Sequence, residues 1–135
     1  MAMAALVARA PARLDFGGGW TDVPPYSEER GGCVCNVAIE LHAVATVRLR
    51  DKDAAPTSAE LLSPDNSLAL AATRRAAMTD VQVHVQAEYP LGAGFGGSSA
   101  AGVAVLGALA SWRGEEVSVA KLAEESRRLE GGDLG

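Results

Sequence analysis

The stretch Val37 to Arg50, VAIELHAVATVRLR, limits the fold more than any other part of the chain. Ile39, Leu41, Ala43, Ala45, Val47 and Leu49 fall on one parity, and Glu40, His42, Thr46, Arg48 and Arg50 on the other. Successive side chains of a strand point to opposite faces, so this period of two predicts a long strand with one dry and one wet face. VQVHVQAEY repeats the pattern, with Val81, Val83, Val85 and Ala87 set against Gln82, His84, Gln86 and Glu88. A third strand is expected over Leu6 to Phe16 and a short fourth near Ala59 to Leu62. Strands of a parallel sheet covered on both faces read as continuous Val, Ile and Leu. The alternation therefore predicts an α+β domain, a mixed or antiparallel sheet with helices on one face only.

Three helices are expected to supply that cover. Asn66 to Met78 is rich in alanine and leucine and follows Ser63-Pro64-Asp65, a turn suited to start a helix. Ser98 to Trp112 is apolar around nearly its whole circumference, as in a helix buried within a domain. Ser118 to Glu130 sets Leu122, Ser126 and Leu129 on one stripe and places Glu124 to meet Arg128 four residues on. Asp51 to Ser58 reads as a polar loop, and no repeat or linker divides the chain. A 135-residue chain that is 48% hydrophobic is one domain with enough apolar surface for a core.

Charge and cysteine usage exclude several classes. The net charge is −5 and the 12 Lys and Arg residues are scattered, whereas nucleic-acid binding normally shows as a concentrated basic face. The first residues, MAMAALVARAPARLDF, lack the basic n-region of a signal peptide. The longest apolar run, Ala100 to Ala110, falls short of the roughly 20 residues that span a bilayer. A cytoplasmic protein with neither membrane nor nucleic-acid partners is expected. Cys33 and Cys35 are too close to staple a fold and too few for a closed zinc site. His42 and His84 read as strand histidines on the wet face. The chain stops at LEGGDLG with apolar Leu134 and no polar tail, which reads as a piece of something larger.

Residues 89–102, YPLGAGFGGSSAAG, raise the functional question. Glycine sacrifices conformational entropy, so a cluster of it suggests that a phosphate, a sugar or another segment must lie against bare backbone. The loop follows an expected strand and precedes an expected helix that Ser98 is suited to cap. Free N–H groups and the helix dipole at such a terminus favour an anion. A glycine turn packed against its neighbours is the purely structural alternative. There is no lysine for a Walker A loop. Gly92, Gly94 and Gly97 satisfy G-x-G-x-x-G, with Glu115 or Glu116 about 20 residues beyond, as a dinucleotide site requires. Yet the preceding strand alternates and the acidic pair lies in a turn, so a dinucleotide-binding oxidoreductase ranks second. The segment ARLDFGGGWTDVPPYSEERGG offers a glycine turn, an aromatic face at Trp20 and polar groups at Arg13, Asp15 and Asp22, which suits a sugar. A glycine turn with a buried tryptophan is the bland alternative there.

Pro90-x-x-x-Gly94-Phe95-Gly96-Gly97-Ser98-Ser99-Ala100 resembles the P-x-x-x-G-L-G-S-S-A nucleotide loop of the GHMP small-molecule kinases, departing from it at Phe95 and at Gly97, where the pattern has serine. The segment from Pro11 to Gly32 resembles their acceptor-binding motif in the form of L-fucokinases and heptose-phosphate kinases. Galactokinases carry Gly-Glu-His-Thr-Asp where this chain has Gly18-Gly19-Trp20-Thr21-Asp22, so galactose is disfavoured.

This resemblance implies a ribosomal protein S5 domain 2-like fold over residues 1–135, as the N-terminal domain of a longer kinase, and transfer of the γ-phosphoryl of ATP to a sugar or sugar-phosphate hydroxyl. It implies ATP contacts at Pro90, Gly92, Gly94, Phe95, Gly96, Gly97, Ser98 and Ser99, with Mg²⁺ at Ser98, for which Ser99 could substitute, and at Glu130. Arg13 would act near the transferred phosphate, and Asp15, Gly18, Gly19, Trp20, Thr21 and Asp22 would hold the acceptor. The family's base is an aspartate in a Gly-rich segment beyond Glu130, which this chain does not reach, so the chain alone is expected to phosphorylate little. A non-catalytic sugar- or protein-binding module of the same fold is a further reading. Oligomeric state is open, with association expected through any uncovered face.

Overall fold

The structure is a computed structural model and describes residues 5–51, 64–90 and 92–133. Its centre is the alternating strand expected from the sequence, β2 (Cys35–Leu49), flanked by β1 (Leu6–Gly17) and β3 (Val81–Ala87). Both pairings are antiparallel, with Ala45 opposite Ala8 on β1 and Val85 on β3. The sheet order is β1-β2-β3. On β2, Ala43, Ala45 and Val47 are fully buried, while Arg48 on the opposite parity is exposed. The fourth strand expected at 59–62 and most of the polar loop at 51–58 lie outside the described residues.

Among the described residues four helices accompany the sheet: α1 (Tyr26–Arg30), α2 (Pro64–Arg75), α3 (Gly97–Trp112) and α4 (Val119–Arg128). The last runs into a π-helical turn over Leu129–Asp133. Helix α3 packs across β1 and β2 and also meets α2 and α4, which is why its whole circumference is apolar. Their interface is built of small side chains, Ala10, Ala12, Ala43 and Ala45 from the sheet and Ala100, Ala101, Ala104 and Ala108 from the helix, all buried. The side chains at a contact set how closely two elements approach, so alanine on both sides brings α3 down onto the strands. Leu68, Val81, Val105 and Leu129 fill the remaining volume.

Several helix boundaries differ from expectation. Helix α2 starts at Pro64, since proline lacks only an N–H that the first turn does not use, and ends at Arg75 instead of Met78. Ala77 adopts φ +52°, the Met78 N–H donates to the Thr73 carbonyl and the Ala77 N–H to the Arg74 carbonyl, both at 3.0 Å. Those two bonds form a Schellman stop in which alanine stands where glycine is usual, so the sequence carried no stop signal. Helix α3 begins at Gly97 behind a left-handed Gly96 with no side-chain cap, so Ser98 sits inside the first turn and does not cap it. The Gly96 carbonyl already accepts from Ala100 N–H at 3.0 Å, which starts the helix ahead of both serines. By contrast Ser118 does cap α4, accepting from Lys121 N–H at 3.3 Å, and Arg128 meets Glu124 at 3.0 Å.

The β1–β2 hairpin is irregular where it leaves the helical layer. Pro11 pairs with His42 and Arg13 with Ala38, so Ala12 faces a bulge of Ile39, Glu40 and Leu41 on β2. Such a bulge bends a strand and re-aims its side chains. Beyond it Leu14, Phe16 and Val37 are exposed, and the chain turns through residues 18–22 into α1.

Candidate functional site

Past the bulge, the outer edge of β1 carries the glycine loop. The Arg13 backbone N–H donates to the Phe95 carbonyl at 3.0 Å, tying the N-terminal segment to the middle of the loop. The Arg13 side chain then lies over Gly96: a β-carbon at Gly96 would stand 2.7 Å from Nη1 and 2.9 Å from Cζ. Gly96 also adopts φ +62°, a conformation that favours glycine, and a side chain there would have to push the Arg13 guanidinium aside. Arg13 Nε donates to Asp15 Oδ1 at 3.0 Å, which fixes the guanidinium in place. A shallow cleft of about 160 Å³ opens between Arg13, Gly96, Ser99 and the apolar residues Ala10, Pro11, Ala100 and Val103. Gly92 and Gly94 adopt positive φ on the exposed side of the loop, and a β-carbon on either would meet no atom. Pro90 is likewise exposed.

A hydroxyl and a carboxylate meet on the helical side. Ser99 Oγ donates to Glu130, 3.2 Å from Oε2 and 3.4 Å from Oε1. The π-helical turn brings this about, because it widens the chain's path after Arg128 while the fully buried Leu129 anchors it to the core. Buried Ser126 Oγ donates to the Ser99 carbonyl at 3.4 Å and packs so tightly on Gly102 that a β-carbon there would lie 2.5 Å away. Ser98 points elsewhere and is exposed.

The acceptor-type segment forms a braced turn. Thr21 Oγ1 donates to the Gly18 carbonyl at 2.6 Å and lies 3.2 Å from the Cys33 carbonyl, while the Cys33 N–H donates back to Thr21 Oγ1 at 3.1 Å. Gly18, at φ +80°, presses against the Cys33 carbonyl with no room for a β-carbon. Gly18 and Thr21 therefore shape the turn from inside. Trp20 and Asp22 stand outward, Trp20 with φ +71° and an indole 83% exposed, which disposes of the buried-tryptophan reading. The Asp15 carboxylate lies near Gly19, 3.8 Å from where a β-carbon on that residue would stand. The contacts of Arg13 with Phe95 and Gly96, braced by Asp15, thus join the two segments that the sequence holds far apart.

Two supports were not anticipated. Tyr89 is buried and its hydroxyl donates to the Gly97 carbonyl at 2.9 Å. One residue earlier, the Glu88 carboxylate accepts from the His42 backbone N–H at 2.9 Å and from Arg9 at 3.0 Å, with His42 Nδ1 also 3.0 Å away. The His42 backbone bond, aided by the His42 side chain and Arg9, holds the Glu88 carboxyl below its ordinary range. Their signal in the sequence was the polar pair Glu88-Tyr89 closing an otherwise regular strand.

Residues 66–135 match the family described as GHMP kinases N terminal domain. A 34-residue stretch is 62% identical to the L-fucokinase/L-fucose-1-P guanylyltransferase of Bacteroides fragilis, covering 25% of this chain and 4% of that protein. The D-glycero-alpha-D-manno-heptose 7-phosphate kinase of Campylobacter jejuni is 29% identical over 150 aligned residues, covering 94% of this chain and 44% of its own length. Among solved structures, a D-glycero-D-manno-heptose 1-phosphate kinase from Bacteroides thetaiotaomicron superposes with a TM-score of 0.76 at 26% identity, covering 96% of this chain and 49% of that one. The chain therefore spans less than half the length of these relatives.

Proposed function

The chain belongs to the GHMP kinase family, and on that premise we propose that it supplies the nucleotide cradle and acceptor turn of an ATP-dependent sugar kinase acting in the cytoplasm on a sugar or sugar phosphate such as fucose or a manno-heptose phosphate. The observation that carries this reading is the Arg13 junction, where one residue binds the phosphate-type loop through its backbone and lies over Gly96 with its guanidinium. The residues present fit Mg²⁺-bound ATP. Mg²⁺ favours hard oxygen ligands, typically one or two carboxylates completed by phosphate oxygens, and Ser99 with Glu130 offers such a set beside the loop.

ATP held there would supply the phosphoryl group. The backbone N–H groups from Gly92 to Ser99 would surround its phosphates, with Ser98 exposed at the rim as a further hydroxyl. Arg13, held by Asp15, would offset charge on the group in transfer, which is the main form of catalysis open to phosphoryl transfer. Trp20 would stack on the C–H face of the sugar and Asp22 would accept from its hydroxyls. Asp15 serves Arg13 in this scheme more than the acceptor. A dinucleotide-binding oxidoreductase would need the strand before the loop to open a βαβ unit in a parallel sheet, whereas that strand, β3, pairs antiparallel with β2, as β2 does with β1.

Titration with Mg-ATP tests the reading. A ligand that binds only the folded state raises the melting midpoint, so a nucleotide-dependent shift that fades in Ser99→Ala and Glu130→Gln is expected. No shift at millimolar Mg-ATP would overturn the kinase reading in favour of a non-catalytic module. Fucose and heptose 7-phosphate, titrated against the nucleotide-loaded protein, discriminate the acceptors.

A further inference from the structure

We propose that Tyr89 is a positioning residue for the phosphate loop and acts by clasping its two ends through Gly97. Tyr89 precedes the loop at the exit of β3, and Gly97 follows it as the first residue of α3. The tyrosine is only 6% exposed, and its hydroxyl donates to the Gly97 carbonyl at 2.9 Å. Its ring lies directly over the glycine, since a β-carbon on Gly97 would stand 2.7 Å from Cε2 and 3.4 Å from the hydroxyl oxygen. This is one of the positions where the loop departs from the kinase pattern, which carries serine there. The departure and the aromatic residue explain one another: the ring fills the volume a side chain at position 97 would need, and its hydroxyl bonds the backbone in that side chain's place.

The clasp turns residues 90–96 into a loop with fixed ends. Its middle is pinned separately by the Arg13 N–H bond to Phe95. Upstream, Glu88 is held across the sheet by Arg9 and His42, so the tyrosine rises from an anchored segment. Fixing a binding loop in advance lowers the ordering entropy lost on binding, and so raises affinity without any direct contact between Tyr89 and the ligand.

The proposal rests on the kinase reading, and its test separates the two. Mg-ATP affinity is measured by calorimetry for the wild-type chain, Tyr89→Phe, Tyr89→Ala, Gly97→Ser and the pair Tyr89→Ala with Gly97→Ser, at a temperature where circular dichroism shows each folded. Tyr89→Phe keeps the ring and removes one hydrogen bond, so affinity should fall about twofold to tenfold. Amide exchange of residues 92–99 should quicken while that of Ala43, Ala45 and Val47 is unchanged, a contrast that general destabilisation would not give. Gly97→Ser should weaken binding in the wild-type background and weaken it less once Tyr89 is alanine, a non-additive result expected only of residues in contact. Wild-type binding with Tyr89→Phe equal to wild type, or strictly additive effects, would overturn the clasp and leave the kinase reading standing. Absence of nucleotide binding by the wild-type chain would remove the kinase reading and the positioning role with it.

Discussion

Gly18 and Gly96 each combine a left-handed backbone with a close neighbour, the Cys33 carbonyl for one and the Arg13 guanidinium for the other. Alanine at Gly18 meets both penalties against rigid backbone, and a loss of about 3 kcal/mol of stability is expected in urea unfolding. At Gly96 the neighbour is a side chain that can yield, so Gly96→Ala should unfold more gently but displace Arg13, losing nucleotide affinity out of proportion to its change in midpoint. Glu88 gives a pH signature. Its carboxyl is held below the ordinary value of 4.5 by the His42 backbone N–H first, and then by the His42 side chain and Arg9. A depressed folded-state value means that its contribution is complete above the unfolded value and is lost as pH falls through the folded one. Glu88→Gln should therefore lower the midpoint at pH 7 and converge with wild type well below pH 4.5, as read by melting across that range. At this scale the sequence could place a hydroxyl at position 98 or 99 but not choose between them. Neighbouring residues on a helix point about 100° apart, and only the folded chain shows that Ser99 is the one that meets Glu130.

Among the elements, strands were the most legible because a period of two survives any tertiary setting, and β1, β2 and β3 fall within a few residues of where the alternation puts them. Helix ends were less so. Helix α2 stops at an alanine in the left-handed region, and α3 starts behind a glycine in it, so neither end carries the side-chain signal used to find it. Ala77→Gly should relieve the first of these strains and raise stability by roughly 0.5–1 kcal/mol, the backbone gain being partly offset by a freer unfolded chain. A rise of the chemical-denaturation midpoint with unchanged slope would show it, and a fall would contradict the stop described here. The π-helical turn left no mark on the sequence. It is a product of Leu129 burying itself in the core while the chain continues, and it puts Glu130 opposite Ser99.

At the scale of the molecule, the described helices cover the sheet as far as the bulge at 39–41. Beyond it Leu14 and Val37, cross-strand partners, are 38% and 44% exposed, and Phe16 is 72% exposed. Apolar surface left in water favours association. Sedimentation of the 135-residue chain should show a concentration-dependent increase in mass that Phe16→Ser reduces, and a strict monomer at all concentrations would refute this. Among the described residues no helix is long and apolar enough to cross a membrane. The sequence by itself determined the α+β class, the wet and dry faces of the strands, and the two glycine-rich segments, because these depend on local periodicity and on residue types with few conformational substitutes. Only the tertiary structure decided that Arg13 joins the two segments, that Ser99 faces Glu130 and that Tyr89 lies over Gly97. The Arg13 and Ser99 contacts pair residues distant along the chain and the Tyr89 contact closes a loop on itself, and their geometry depends on how closely an alanine-lined helix packs against the sheet, a quantity no local pattern encodes.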